Sequence, residues 1–263
     1  MLGGEIAIGC LSASGGGIFV NLIFMAWQKR TPGHALFAEV LDSDNVPCRL
    51  WTYITAMCCQ GLLYPLVILW AWLQWRGGAA RSSWEWTPGG LFAEEVHFGL
   101  RVYLYIFFGY LARDLMMQFL EAELRLLMVL HHVVCMGGIL LGLTTSQGGV
   151  AMALGTFVLE LGSFFYNGWI CDATMRGALG DNSLWSLWPW GGGYIALFSA
   201  TNLLAFYFLA VAAVENLAAG QLFHAVIFTC TGLPLIALRQ QECNRAWRGD
   251  ITQSPPAKRA HES

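Results

Sequence analysis

"LRLLMVLHHVVCMGGILLGL", residues Leu124 to Leu143, is twenty residues of almost unbroken apolar sequence with two adjacent histidines, His131 and His132, near its middle. Twenty such residues match what a helix needs to cross the ~30 Å hydrocarbon core of a bilayer. Runs of the same kind recur along nearly the whole 263-residue chain. Hydrophobic residues make up 56% and charged residues 12%, the latter about half the share of a soluble domain. Mean hydropathy is +0.53. The fold expected is all-α: a polytopic membrane protein of about seven transmembrane helices. The net charge of −3, with dispersed basic residues, gives no nucleic-acid footprint.

The spans expected are 6–27, 50–75, 98–120, 124–143, 148–170, 191–214 and 217–238. The second contains Pro65, which a membrane helix tolerates as a kink. The third includes Arg101, Arg113 and Asp114, and Arg113 is expected to snorkel toward the headgroups. Trp27, Trp51, Trp70, Trp72, Trp75 and Trp169 fall near span ends, as in an interfacial aromatic belt. The first run carries Glu5 and no basic segment before it, so it reads as a retained anchor. The intervening loops are polar, and the organisation expected is a first span and loop over 1–47, a membrane domain over 48–245 and a disordered tail over 246–263.

With seven spans, one side of the membrane receives Lys29, Arg30, Arg49, Arg125, Arg176, Arg239, Arg245, Arg248, Lys258 and Arg259, and the other only Arg76 and Arg81. The positive-inside rule then puts the N-terminus in the lumen and the C-terminus in the cytosol.

That topology gives the histidines company. A tight turn around Glu121 to Glu123 joins the third and fourth spans at the cytosolic surface. Asp114 lies eight residues before Ala122 and His131 nine after it, so both sit roughly 12–14 Å from the turn, level with each other. Glu160, about ten residues from its own cytosolic span end, shares that depth. Acids and imidazoles are costly in hydrocarbon and by default mark a functional site. An Asp can orient an imidazole and leave its second nitrogen free to take a proton. Neighbouring helix residues point ~100° apart, so one histidine lines a cavity while the other supports it. Asn167 and Asn202 are further cavity polars or helix–helix contacts, and His224, at a different depth, reads as packing. The Gly15 to Gly17 run reads as a close helix contact.

Metal chemistry fits poorly. Six histidines, three of them in loops or tail, are too few for a membrane di-iron centre, and adjacent histidines chelate one zinc less well than an i, i+4 pair. No cofactor is expected. Of eight cysteines, Cys10, Cys58, Cys59, Cys135 and Cys230 lie in apolar runs as small hydrophobes. Cys48, Cys171 and Cys243 sit near span ends, where palmitate is the alternative to an unmodified thiol.

The segment "GYLARDLMMQFLEAELRLLMVLHHVVCMGGILL" followed by "GTFVLELGSFFYNGWI" resembles the TLC-domain family, which includes ceramide synthases, translocating-chain-associated membrane proteins and smaller lipid-linked proteins. The matching points are Asp114, Leu130 with His131 and His132, and Leu159 with Glu160 and then Asn167. The resemblance implies residence in the endoplasmic reticulum and membrane lipid as ligand or substrate. In ceramide synthases the matching histidines serve acyl transfer from acyl-CoA to a sphingoid amine. Carried over, His131, His132 and Asp114 would be catalytic, Glu160 and Asn167 would bind substrate, and acyl-CoA would be the co-substrate. After the histidines, "CMGGILLGLTTSQGGVAMALGTFVLE" lacks the Arg and Asp residues of ceramide synthases and looks more like the smaller members. The alternative function is a non-catalytic lipid-binding regulator of membrane composition, or a cargo adaptor.

Overall fold

In the computed structural model of the chain, residues 2–41, 47–78, 96–120, 126–145, 147–179 and 192–249 are described. Their helices are α1 (Leu2–Arg30), α2 (Leu50–Cys58), α3 (Tyr64–Gly78), α4 (Phe98–Leu120), α5 (Leu126–Thr144), α6 (Gly149–Leu179), α7 (Gly192–Ala218) and α8 (Leu222–Trp247). A π turn, Cys59–Leu63, fuses α2 to α3, so the described helices form seven rods at the seven expected places. The turn at 121–123 and residues 250–263 of the tail lie outside the described residues.

Five rods are long and apolar enough to cross a membrane: α1, α2–α3, α6, α7 and α8. α5 is a shorter apolar helix, and α4 carries Arg101, Arg113 and Asp114. The outward faces are apolar, with Leu11 72% and Leu126 75% exposed. Helices that are apolar all round suit a lipid surround rather than water. The loop after α1 holds a short antiparallel pair, β1 (Glu39–Leu41) with β2 (Pro47–Arg49), in which Val40 faces Cys48. Hydropathy alone predicts only a loop here.

Side-chain pairs give the relative direction of two pairs of rods. Glu5 meets Arg101 at 3.9 Å and Asn21 meets Arg113, so α1 and α4 run parallel. Ala13 packs on Gly109, and Gly17 packs on the Gly109 carbonyl. These small residues permit the close approach, as in other membrane helix pairs. Gly15 and Gly16 have nothing near them, so of the expected glycine contact only Gly17 makes one.

α6 and α7 run antiparallel, with Gly155 on Phe208, Gly162 on Thr201 and Trp169 stacked on Tyr194. Neighbour contacts close a circuit: α4 to α5, α5 to α8, α8 to α7, α7 to α6, α6 to α2, and α3 back to α4. α1 packs against α4.

The π turn has a local cause. Pro65 has no N–H and would clash with the preceding turn of a regular helix, and the wider turn directly precedes it. The same turn carries Gln60, only 2% exposed.

At one end, Thr145 and Gln147 from the α5–α6 turn meet Asn216 and Gln221 from the α7–α8 turn. The Thr145 Oγ1 lies 2.8 Å from Asn216 Oδ1 and 3.0 Å from Gln221 Oε1, and the Asn216 Nδ2 donates to the Gln147 carbonyl at 2.8 Å. Gly148, at φ 69°, lets the chain turn here. A Cβ on it would sit 2.9 Å from the Ala212 carbonyl and the Asn216 amide. Gly148→Ala is therefore expected to destabilise the protein by about 1–2 kcal/mol or more, read as a lowered melting midpoint in detergent.

One sequence expectation is corrected: Trp51 is fully buried and stacks on Phe24 at 5.1 Å, so it is core and not part of an interfacial belt. Cys171 and Cys243 are buried at 0% and 2% exposure, which favours the unmodified thiol over palmitate there. No disulfide joins the described cysteines.

Candidate functional site

The helical turn between consecutive residues sends the two histidine rings different ways; they meet edge to face at 5.4 Å. His132, 5% exposed, turns toward α4. Its Nδ1 lies 2.7 Å from the Met128 carbonyl, which can only accept, so Nδ1 carries a proton. Its Nε2 faces Asp114 Oδ2 at 3.9 Å. That contact is attractive only when a proton sits on one of the two.

His131 instead lines a cavity of about 140 Å³ inside the circuit, walled by α4, α5, α6, α7 and α8. One histidine lines a cavity and the other is braced, as the helix geometry required. Asp114 meets His132 and not His131.

Arg113 does not snorkel. It is 2% exposed, and its Nε donates to Asn21 Oδ1 at 2.8 Å. Nη2 reaches the Thr52 carbonyl at 3.4 Å and Asp114 Oδ1 at 3.6 Å. The guanidinium also lies 5.5 Å from the Tyr110 ring and 5.9 Å from the Trp51 ring. Its long stem could have carried the charge to the headgroups, but Asn21 and Thr52 offer acceptors inside the bundle. A chain of contacts thus runs from α1 through Arg113 and Asp114 to His132.

Glu160 lines the cavity beside His131. Gln60 Nε2 donates to its Oε2 at 2.8 Å, and Asn167 Nδ2 donates to Gln60 Oε1 at 2.9 Å. Asn167 is therefore one step removed from the cavity, acting on Glu160 through Gln60. Gln60→Leu would leave both partners without this amide, and the expected cost is about 1–3 kcal/mol, read from thermal unfolding in detergent.

Three contributors escaped the sequence reading. Gln60 was hidden in an apolar run, although an intramembrane amide is itself a signal. Ser163 lines the cavity one turn after Glu160. Arg239 was counted as a loop charge because the apolar run ends at Leu238, yet α8 continues to Trp247 and Arg239 lines the cavity.

The Arg239 Nε donates to Asn202 Oδ1 at 3.1 Å, Nη1 to Ser163 Oγ at 2.8 Å and Nη2 to the Leu159 carbonyl at 2.6 Å. Asn202 is thus a buried support for Arg239. His224 packs between Phe223 and Phe228 rings, away from this set.

Among the described residues no group of three or more His, Cys, Asp or Glu side chains is placed to hold a metal ion. The cavity wall is otherwise apolar, with Phe107, Leu111, Ile139, Leu209, Phe228 and Leu235. Chemically the site offers one imidazole, one carboxyl group and one guanidinium at the edge of an apolar chamber. Comparison with family models, with curated proteins and with solved structures gave no match to any of them.

Proposed function

We propose that the chain is a seven-span, TLC-type membrane protein of lipid metabolism that transfers an acyl group from acyl-CoA to a lipid amine or hydroxyl, in the manner of a ceramide synthase. The observation that carries this reading is His131 lining an apolar chamber together with Glu160. In such a reaction the acceptor nitrogen or oxygen attacks the thioester carbonyl, and His131 takes the acceptor proton. The carbon–sulfur bond breaks and coenzyme A leaves as the thiol with that proton. Glu160, positioned by Gln60 and Asn167, would bind the acceptor. The Asp114–His132 pair braces the helix turn that presents His131.

α4 packs against α1 and α3, and α5 against α6 and α8, all of them in rods long and apolar enough to cross a membrane, which supports α4 and α5 as spans. Residence in the endoplasmic reticulum with a lumenal N-terminus belongs to the same proposal and rests on the family resemblance and the basic-residue bias. A C-terminal tag protected from cytosolic protease would overturn the orientation.

One observation favours the second reading, a non-catalytic lipid-binding regulator or cargo adaptor. The carboxylate that could orient a base faces His132, and among the described residues the one side-chain hydrogen-bond partner of His131 is Cys135 Sγ at 3.9 Å. Microsomes containing the protein and supplied with labelled acyl-CoA separate the two. A labelled lipid that depends on His131 supports transfer; no labelled product from well-folded protein leaves the binding reading.

A further inference from the structure

Arg239 is a cation at the edge of an apolar chamber. Its hydrogen bonds go to a hydroxyl, an amide oxygen and a backbone carbonyl, all neutral. Among the described residues no carboxylate oxygen lies within 4.0 Å of it, and the guanidinium has more N–H groups than these three acceptors take up. Its plane is fixed: the guanidinium carbon lies 4.5 Å from the Phe198 ring centre. Asn202, 1% exposed, accepts from Nε and donates to Gln240 Oε1 at 3.2 Å. A guanidinium held this rigidly loses little freedom on meeting a ligand, and its fork suits carboxylate and phosphate oxygens.

The chamber's shape sets the rest of the ligand. Along α8 its wall runs from Phe228 to Arg239, and along α6 from Ala151 to Ser163, a length of roughly 16–18 Å at the helical rise. With a volume of about 140 Å³, the chamber is narrow for that length. Arg239, Ser163, Glu160 and His131 belong to one end: the bonds from Arg239 to Leu159 and Ser163 bracket Glu160 on α6. Ala151, Met152, Ala212 and Phe228 form the apolar remainder.

We propose that this chamber binds a single-chain amphiphile with an anionic head, the carboxylate or phosphate seated on Arg239 and the chain running toward Met152 and Phe228. The reading rests on the same cavity as the lipid function above, and names the charge and shape of its occupant. Glu160 lines the same chamber, where Gln60 donates to its Oε2 at 2.8 Å and neither of its oxygens comes within 4.0 Å of Arg239.

The test uses the purified full-length chain in detergent, with myristate, myristoyl-lysophosphatidate and myristyl alcohol as probes in a competition binding assay. The expected result is that one or both anionic probes bind roughly tenfold or more tightly than the alcohol. The stronger of the two identifies the head as carboxylate or phosphate. Arg239→Gln is expected to erase that preference and Arg239→Lys to keep part of it. Equal binding of all three probes to the unaltered chain overturns the proposal without any variant, as does a preference that survives in folded Arg239→Gln. The binding assay needs no turnover, so absence of acyl transfer leaves this inference standing, and transfer without an anion preference removes it alone.

Discussion

His131→Ala is expected to abolish the labelled acyl lipid while leaving the protein folded. General acid–base catalysis contributes typically ~10²–10⁴-fold, so the product should fall by at least about 100-fold. The cost to stability should be small, because the ring lines a cavity that already exists and its polar side-chain contact is a weak one with Cys135 Sγ at 3.9 Å. His132→Ala is expected to behave in the opposite sense. It strips a partner from the Met128 carbonyl and from Asp114, so it should lower the melting midpoint by the equivalent of about 1–3 kcal/mol and reduce product only in proportion to folded protein. Activity that survives His131→Ala but vanishes in folded His132→Ala would reverse the two assignments.

Arg113→Met should have the largest effect on stability. Methionine keeps much of the stem volume but removes a cation that meets Asn21, Thr52 and Asp114 at once. Breaking a buried charge pair by deleting one member costs about 3–5 kcal/mol, because the other charge is left without compensation. The measurement is thermal unfolding in detergent, with Asn21→Leu alone and the double variant beside it. Since both residues belong to one contact, the double variant should lose less than the two singles together. A change within about 0.5 kcal/mol for Arg113→Met, the range of ordinary surface substitutions, would show that this network carries no stability.

The seven rods were legible because long apolar runs separated by Gly, Pro and charges leave few other readings. The shared depth of Asp114 and the histidines followed from helical rise alone. Direction around the axis was harder: depth places Asp114 level with both histidines, but only the packed rings show that His132 is the one that meets it. Arg113 and Arg239 went astray for a common reason. Hydropathy treats a guanidinium as a signal to leave the membrane, yet Asn21 and Asn202, polar residues on other helices, supply acceptors that keep it inside. Gln60 was missed because its two partners lie 100 and 107 residues away, a separation over which no local pattern speaks.

The knot of Thr145, Asn216 and Gln221 gains a meaning once the chamber is considered as a container. It ties the two turns together at the end opposite Arg239, close to Ala212, whose carbonyl accepts from Asn216 Nδ2 at 2.7 Å. A head fixed at one end and a stitched floor at the other make a ruler. The chamber wall between them, roughly 16–18 Å long at the helical rise, sets the reach of any chain anchored at Arg239, and a longer one must either fold back or part the helices sideways into the lipid.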